Sequence, residues 1–198
     1  SASASPLLAS SADHTITGVA AGDAIGSSLA RAGDVDGDGI EELAIGTTTL
    51  DAGWAAQGGA YLISSNTIQA AASLSVSAAG IRILGNAPGD QLGHGVGGAC
   101  DADGDGLADL LVGLRGEDNA YVNSGAVCLF LSGSSGLSAG DYYAADADVC
   151  VGGTQSGELL GNSLALVPDT NGDGLCDILL GSGSNASVAS GAGLAAWF

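Results

Sequence analysis

The chain has no lysine and only three arginines, Arg31, Arg82 and Arg115, against 22 aspartates and glutamates. Its formal net charge is −19 at pH 7. Nucleic acids and anionic membranes are bound through basic patches that replace counterions, so neither is an expected partner. The excess of carboxylates indicates that the chain binds cations instead.

Long apolar segments and aromatic side chains are also scarce. No apolar run reaches the roughly 18 residues that a membrane-spanning helix needs, so no such helix is expected. Four Tyr, two Trp and two Phe stand against 35 Gly, which predicts short strands joined by tight turns. A hydrophobic fraction of 46% is too high for a disordered chain. Because the opening SASASPLLAS has neither an initiator Met nor a basic segment, we interpret residues 1–12 as a flexible, processed N-terminal segment.

An acidic loop occurs three times. It begins at Asp34 (DVDGDGIEE), Asp101 (DADGDGLAD) and Asp169 (DTNGDGLCD), so the period is 67 and then 68 residues. A GD-x-x-G segment or its variant GELLG precedes each loop, and an apolar run ending in Gly and then a Gly-rich strand follow it. A further short strand, IRILG or VCVGG, closes each of the first two units. No window sustains a helical period, so the chain is predicted to be all-β.

Four-stranded units with this period are typical of a β-propeller, because one such sheet cannot bury its own apolar faces and must stack on neighbours. We predict three blades per chain. Residues 19–85 form blade 1, residues 86–153 form blade 2, and residues 154–198 form blade 3, which lacks a fourth strand. Residues 13–18, which contain HTITG, stand where a fourth strand would precede blade 1 and are predicted to act as a closing strand.

The acidic loops are predicted to bind metal ions. Carboxylates at positions 1, 3, 5 and 9 and the carbonyl at position 7 would supply the oxygen ligands that Ca²⁺ prefers, whereas Mg²⁺ tends to keep several waters. An EF-hand needs an acidic residue at position 12 and flanking helices, but position 12 is Ile45, Val112 or Leu180 here. The ligand shell is therefore expected to close at position 9, with three Ca²⁺ sites per chain. The predicted ligands are Asp34, Asp36, Asp38, Ile40 and Glu42; Asp101, Asp103, Asp105, Leu107 and Asp109; and Asp169, Asn171, Asp173, Leu175 and Asp177.

The order GD-x-x-G, D-x-D-x-D-G-x-x-D, apolar run ending in Gly, then G-A-Y/V-x-x resembles the FG-GAP repeat of the N-terminal β-propeller of integrin alpha subunits. The resemblance covers roughly residues 15–198. It implies that each acidic loop joins the first two strands of a blade, that its ion is structural, and that partners bind to loops elsewhere. The chain departs from the family in having fewer units than the seven of integrins, Glu158 in place of the Asp of GD, and Asn171 in the third loop.

The four cysteines form no CxxC pair and have no His at zinc spacing, which favours disulfides or buried thiols. Cys128 falls in the third strand and Cys150 in the fourth strand of one blade, so this pair is the first choice for a disulfide. Cys100 directly precedes the second acidic loop and Cys176 lies inside the third, so a second disulfide would join adjacent blades. The even number of cysteines and the calcium-type loops predict an extracellular or secreted protein.

Several features imitate enzyme motifs. Ser138 lies in a G-x-S-x-G segment, but this segment is a Ser/Gly-rich loop and not the strand-to-helix turn of a hydrolase. GHGVGG falls in a predicted strand without a βαβ unit, and His14 and His94 lie outside the acidic loops. Because no nucleophile, base and orienting group come together, we predict a non-catalytic module for protein or glycan binding, adhesion or scaffolding. The alternative is an accessory domain of a secreted hydrolase, or a cryptic hydrolase.

The aromatic residues allow two interpretations, a recognition surface or packing between blades. They are Trp54, Tyr121, Tyr142, Tyr143 and Trp197.

The predicted number of blades bears on assembly. Three blades are too few for a closed ring, since propellers typically have about four to eight, and an open array would expose sheet edges. Because residues 13–18 are the strand that blade 3 lacks, we predict that they complete blade 3 of a second copy in a homodimer that closes a six-bladed ring. The alternative is a fragment of a longer propeller, present as a monomer or an open polymer.

Overall fold

The computed structural model describes residues 12–118, 121–185 and 191–198. Most of the segment predicted to be flexible, residues 1–12, therefore lies outside the described residues. The prediction of an all-β chain is confirmed. The strands are β1 (Thr15–Thr17), β2 (Ser28–Gly33), β3 (Glu42–Thr47), β4 (Gly59–Ser64), β5 (Ser73–Ser75), β6 (Ile81–Leu84), β7 (Leu92–Cys100), β8 (Asp109–Leu114), β9 (Ala126–Phe130), β10 (Gly140–Tyr143), β11 (Val149–Gly152), β12 (Ser163–Val167), β13 (Asp177–Ser182) and β14 (Leu194–Trp197).

The strands form three main sheets, each centred on an antiparallel meander. Sheet 1 has the order β10-β6-β4-β3-β2, sheet 2 the order β11-β9-β8-β7 and sheet 3 the order β12-β13-β14. The two remaining strands, β1 and β5, pair with each other in parallel. Each sheet thus begins with the strand pair on either side of an acidic loop, and its third strand follows in chain order.

Apolar alternation explains how the sheets pack. In β8 the whole strand is buried, as expected for a strand covered on both faces. Leu110 and Val112 belong to a cluster shared with Ala44, Leu62 and other residues of sheet 1. Leu111, which points to the other face, belongs to a cluster with residues of sheet 3. Sheet 2 is therefore packed between sheet 1 and sheet 3.

The first strands of the three sheets lie side by side, with β2 against β7 and β7 against β12. Glycine permits this close approach. A Cβ on Gly93 of β7 would lie 2.1 Å from the carbonyl oxygen of Gly59, and one on Gly113 would lie 2.3 Å from the carbonyl oxygen of Gly161. The Gly-rich composition of these strands thus allows contact between sheets in addition to tight turns.

The segment between the third and fourth strands contains elements that the sequence patterns did not predict. It contains β5 or β10, a 3₁₀ turn (Val76–Ala78 or Ala144–Asp146) and, after β4, a short helix, Ser65–Gln69. Strand β10 belongs by sequence to the second unit but pairs in parallel with β6 of sheet 1. Arg82 of β6 holds Asp141 of β10 through a bond of 2.7 Å from Nε to Oδ1. Contacts between sequence-distant residues therefore create this strand pairing.

Both disulfides join the pairs proposed from the sequence. Cys128 and Cys150 face each other across β9 and β11, with a Cα–Cα distance of 4.1 Å. Cys100 and Cys176 join sheet 2 to sheet 3 with a Cα–Cα distance of 6.0 Å. Among the residues that the structure describes, no helix has the length and apolar character to cross a bilayer.

Candidate metal centres

The three acidic loops occupy equivalent places in the sheets. They connect β2 to β3, β7 to β8 and β12 to β13. The chain turns sharply because glycines at positions 4 and 6 adopt positive φ; in the first loop these are Gly37, with φ of 76°, and Gly39, with φ of 85°. A residue with a Cβ would be strained there.

The aspartate at position 1 organises each loop. Asp34 accepts the N–H of Gly37 at 2.8 Å and the N–H of Gly39 at 3.0 Å. Asp101 accepts the corresponding N–H groups at 2.6 and 2.8 Å, and Asp169 does so at 2.6 and 2.9 Å. The same backbone turn is therefore formed in all three loops from the same sequence pattern.

In the first loop Asp34, Asp36 and Glu42 offer carboxylate oxygens that all lie within 4.8 Å of one another. Glu42 is only 4% exposed. Its Oε2 accepts the N–H of Val35 at 3.2 Å, while its Oε1 is buried without a hydrogen-bond partner in the structure. Burial, followed by the charges of Asp36, Asp38 and Asp34, raises the pKa of Glu42 to about 7. A cation beside Oε1 would supply the missing partner and the missing countercharge.

The second loop offers the equivalent set, Asp101, Asp103 and Asp109, again with oxygens within 4.8 Å. Asp109 is fully buried; it accepts the N–H of Ala102 at 2.7 Å and the N–H of Ser132 at 2.9 Å. Burial raises the pKa of Asp109 despite these bonds. Burial also opposes ionisation of Asp101, but backbone N–H groups led by that of Gly106 outweigh it and lower its pKa.

The third loop differs in the use of its side chains. The Asn171 amide donates to Asp177 Oδ1 at 2.8 Å, and the N–H of Thr170 donates to Asp177 Oδ2 at 2.7 Å. The Thr170 hydroxyl also bonds Asp177, and this bond, followed by that of the Thr170 N–H, lowers the pKa of Asp177. In the described part of the chain, groups of three acidic ligands occur in the first and second loops only. Asp169 and Asp173 keep their loop positions but do not form such a group with Asp177.

The residues predicted at positions 5 and 7 bond to each other. Asp38 accepts the N–H of Ile40 at 2.7 Å, and the same bond joins the equivalent pairs of the other two loops. Those pairs are Asp105 with Leu107 at 2.9 Å and Asp173 with Leu175 at 2.9 Å. The position 5 carboxylates thus lie in their loops as turn-forming acceptors, outside the two groups of three.

Neighbouring loops also touch one another. The N–H of Ala108 donates to the Asp34 carbonyl at 3.1 Å, and the N–H of Cys176 donates to the Asp101 carbonyl at 3.3 Å. Both bonds run from position 8 of one loop to position 1 of the preceding loop. Together with the Cys100–Cys176 disulfide, they align the loops in a row along one end of the three sheets.

At the opposite end, the loops between the second and third strands carry aromatic side chains. Trp54 and Tyr121 occupy equivalent positions, 67 residues apart, and are 46% and 48% exposed. Tyr142, by contrast, packs edge-on against Phe130 with ring centroids 6.4 Å apart, and its hydroxyl bonds the backbone of Ser138. Tyr142 therefore packs between sheets, whereas Trp54 and Tyr121 are exposed to solvent.

The residues that imitate enzyme motifs lie in ordinary structural places. Ser138 is in the loop before β10, as predicted. His94 lies in β7, and burial followed by the charge of Arg115 lowers its pKa. His14 precedes β1 and its Nδ1 lies 3.0 Å from the Ala71 carbonyl oxygen.

A pair of carboxylates was missed from the sequence. Burial, followed by the charge of Asp90, raises the pKa of Glu117 to about 7. Asp90 belongs to the GD-x-x-G segment and Glu117 to the loop after β8, so only their proximity in the fold reveals the pair.

Comparison of the chain with protein-family models gives no match, and comparison with curated proteins gives none either.

Proposed function

We propose that the chain is a calcium-stabilised, extracellular β-propeller module of the FG-GAP type that binds a protein or glycan and performs no chemistry. The observation that carries this proposal is that the two ends of the stacked sheets carry different chemical groups. Carboxylate clusters lie at one end, and exposed aromatic side chains lie on the loops at the other. The resemblance to the integrin alpha propeller, in which partners bind away from the ions, agrees with this separation of the acidic loops from the exposed aromatic side chains.

Calcium suits the acidic loops because their donors are all oxygens and because the first two loops each bring three carboxylates together. The buried Glu42 Oε1 is an observation that a solvated acidic turn does not explain. With the ion bound, Asp34, Asp36 and Glu42 would hold it in the first loop, and Asp101, Asp103 and Asp109 in the second. The third loop would bind it most weakly, since Asn171 is neutral and its amide already bonds Asp177.

The proposed binding face has a preorganised backbone. In blade 1 Asp51 accepts the N–H of Ala56 at 2.7 Å, and in blade 2 Asp118 accepts the N–H of Asn123 at 2.5 Å. Gln57 accepts the N–H of Trp54 at 3.2 Å and donates to the Gly85 carbonyl at 2.8 Å. Rigid loops that display aromatic side chains lose little entropy on binding, which favours recognition of a flat protein surface or a sugar ring.

An array of glycans and matrix proteins, probed with the calcium-loaded protein, tests the proposal. Trp54→Ala and Tyr121→Ala should each lower the affinity for any ligand found on the array by at least about tenfold, as expected for aromatic anchors. The matched control is Val149→Ala, since Val149 is exposed to a similar degree (52%) but lies in β11 and away from these loops. Equal losses for all three variants would contradict the assignment of the face.

The hydrolase alternative has its own outcome. Ester, glycoside and phosphoester substrates can be screened beside the array. Turnover that disappears in Ser138→Ala or His94→Ala would replace the binding proposal with an enzymatic one.

A further inference from the structure

One surface of each sheet faces the next sheet, and strand register identifies equivalent residues on it. Ala44 pairs with Leu62 in sheet 1, and Leu111 pairs with Leu129 in sheet 2. The same register in sheet 3 pairs Leu179 with Trp197. We call the face that carries these residues the forward face of each sheet.

The forward face is covered in sheets 1 and 2 and uncovered in sheet 3. Leu62 is 1% and Leu129 is 8% exposed, whereas Trp197 is 55% exposed. Leu111 is 1% exposed, whereas Leu179 is 42% exposed. Sheet 3 therefore presents the side chains of a sheet-to-sheet contact without a sheet packed on them in the described part of the chain.

The opposite face of sheet 1, which we call its back face, is uncovered at Leu29, whereas Ile45 and Tyr61 on the same face are buried under residues that include Val76 and Ile16. Leu29 pairs with Ile45 in sheet 1, and Val96 pairs with Val112 in sheet 2. Val96 is 7% exposed because sheet 1 covers it, but Leu29 is 64% exposed. An apolar depression of about 260 Å³ lies beside Leu29 and is lined also by His14, Ile16, Ile25, Leu43 and Ile45.

Two strand edges are unpaired at the same ends. Strands β4 and β9 each have a fourth strand on their outer edge, β6 and β11, whereas β14 pairs with β13 alone among the described strands. Strand β1 pairs in parallel with β5 as β6 pairs with β10, but β6 also pairs with β4. β1 thus resembles a fourth strand that has no third strand beside it.

The residues after β1 support this equivalence. Asp23 accepts the N–H of Val19 at 2.9 Å, just as Asp90, after β6, accepts the N–H of Asn86 at 2.7 Å. Each acceptor is the aspartate of GD-x-x-G. The connection from β1 to the first strand of sheet 1 therefore matches the connection from β6 to the first strand of sheet 2, residue for residue.

We propose that a second copy of this chain covers both ends. The forward face of sheet 3 packs on the back face of sheet 1 of the other copy, and β1 pairs antiparallel with β14 of that copy as its fourth strand. Two copies make two identical contacts of this kind, which closes a twofold-symmetric dimer. Six blades lie within the usual propeller range of about four to eight, so this inference rests on the propeller architecture of the proposed function.

The equivalence also fixes the register of the new strand pair. Cys128 pairs with Cys150 in sheet 2, and Tyr61 pairs with Arg82 in sheet 1. Counting from the glycines that follow β1, β6 and β11, Thr15 corresponds to Arg82 and Cys150, while strand register aligns Ala196 with Cys128. Thr15 of one copy should therefore face Ala196 of the other at disulfide distance.

The double variant Thr15→Cys/Ala196→Cys tests this register. All four native cysteines are disulfide-bonded, so the introduced thiols are the free ones. Under mild oxidation in calcium, a non-reducing gel should show a covalent dimer near twice 18.8 kDa. An equimolar mixture of the two single variants should also crosslink between chains. The control Thr17→Cys/Ala196→Cys, which is two residues out of register, should crosslink far less.

Light scattering of the unmodified protein at several concentrations completes the test. A mass near twice 18.8 kDa is expected, and Leu29→Asp or Leu179→Asp should convert the dimer to monomer. Val122→Asp is the matched control, since Val122 is 63% exposed but lies in a loop. A monomer at every concentration, a crosslink within one chain, or an open polymer would overturn the proposal. A monomer that still melts at a lower temperature in chelator would leave the calcium proposal standing.

Discussion

Removal of the proposed calcium ions should have an effect whose size follows from the geometry of the acidic loops. The candidate ligand oxygens of each of the first two loops lie within 4.8 Å of one another. Two unit charges at that distance repel by about 0.9 kcal/mol even in a medium as polar as water, so three such pairs cost about 2.6 kcal/mol per loop. Two loops together give about 5 kcal/mol. For a domain of this size we expect chelation to lower Tm by about 10–20 °C.

Glu42→Gln should remove the contribution of the first loop to this change in Tm and leave that of the second loop. It removes the buried carboxylate of the first loop, so the metal-free variant loses part of the repulsion and the calcium-bound variant loses a ligand. The difference between the Tm measured with calcium and the Tm measured with chelator should therefore be about half as large as in the unmodified protein. Glu41→Gln is the matched control, because Glu41 lies next in the chain but pairs with Arg31 at the surface, where solvent screens the ion pair and its contribution to stability is small.

Differential scanning calorimetry at pH 8 is the appropriate assay. At that pH Glu42, whose pKa is raised to about 7, is ionised in the metal-free protein, so the full repulsion is present. Scans with chelator, excess Ca²⁺ and excess Mg²⁺ should rank Ca²⁺ as the most stabilising condition, with Tm rising with its concentration. Equal Tm values with and without chelator, or equal responses of Glu41→Gln and Glu42→Gln, would refute the assignment.

Three further results are expected. Because burial and Asp90 raise the pKa of Glu117 from 4.5 to about 7, the folded state binds more protons between these values, and stability should fall as pH rises through that window. In urea melts, Glu117→Gln should reduce the difference between the free energies of unfolding at pH 5 and pH 7.5 by about 1 kcal/mol, after allowance for solvent screening of a partly exposed group. An unchanged difference would contradict the effect of Asp90 on Glu117. Asn171→Asp should raise calcium affinity of the third loop at least about tenfold in titration calorimetry, since one more charge attracts the ion; unchanged binding would argue that this loop holds no ion. Replacing Cys100 and Cys176 by Ala should cost about 4 kcal/mol in denaturant melts, because their disulfide closes a loop with a sequence separation of 76 residues; a loss below about 1 kcal/mol would contradict that reasoning.

Local patterns in the sequence were sufficient for the acidic loops and their flanking strands. The turn at Asp34 depends on its own carboxylate and on glycines three and five residues later, so everything that forms it lies within one short segment. The same holds at Asp101 and Asp169. Strands such as Asp109–Leu114 could be predicted because burial on both faces selects an uninterrupted apolar run.

Features that depend on distant partners were not visible in the sequence. Strand β10 has four residues and is stabilised by pairing with β6, including the contact of Asp141 with Arg82, 59 residues away. A short polar segment of this kind looks like a loop, since its edge partner is not local. The third loop could not be predicted in full for a different reason. Asn171 directs its amide N–H toward Asp177, but the sequence spacing of the ligands would be the same if it directed its oxygen there.

The contacts between loops connect metal binding to the stacking of the sheets. The Asp34 carboxylate shapes its own loop, while its carbonyl accepts the N–H of Ala108 in the next loop. Asp101 does the same with the N–H of Cys176. An ion that fixes the position 1 aspartate therefore also fixes the acceptor for the adjacent sheet. Because the carbonyl of Asp169 has the equivalent place in sheet 3, and position 8 of the first loop is Glu41, the proposed second copy would continue the row of loops across the dimer contact.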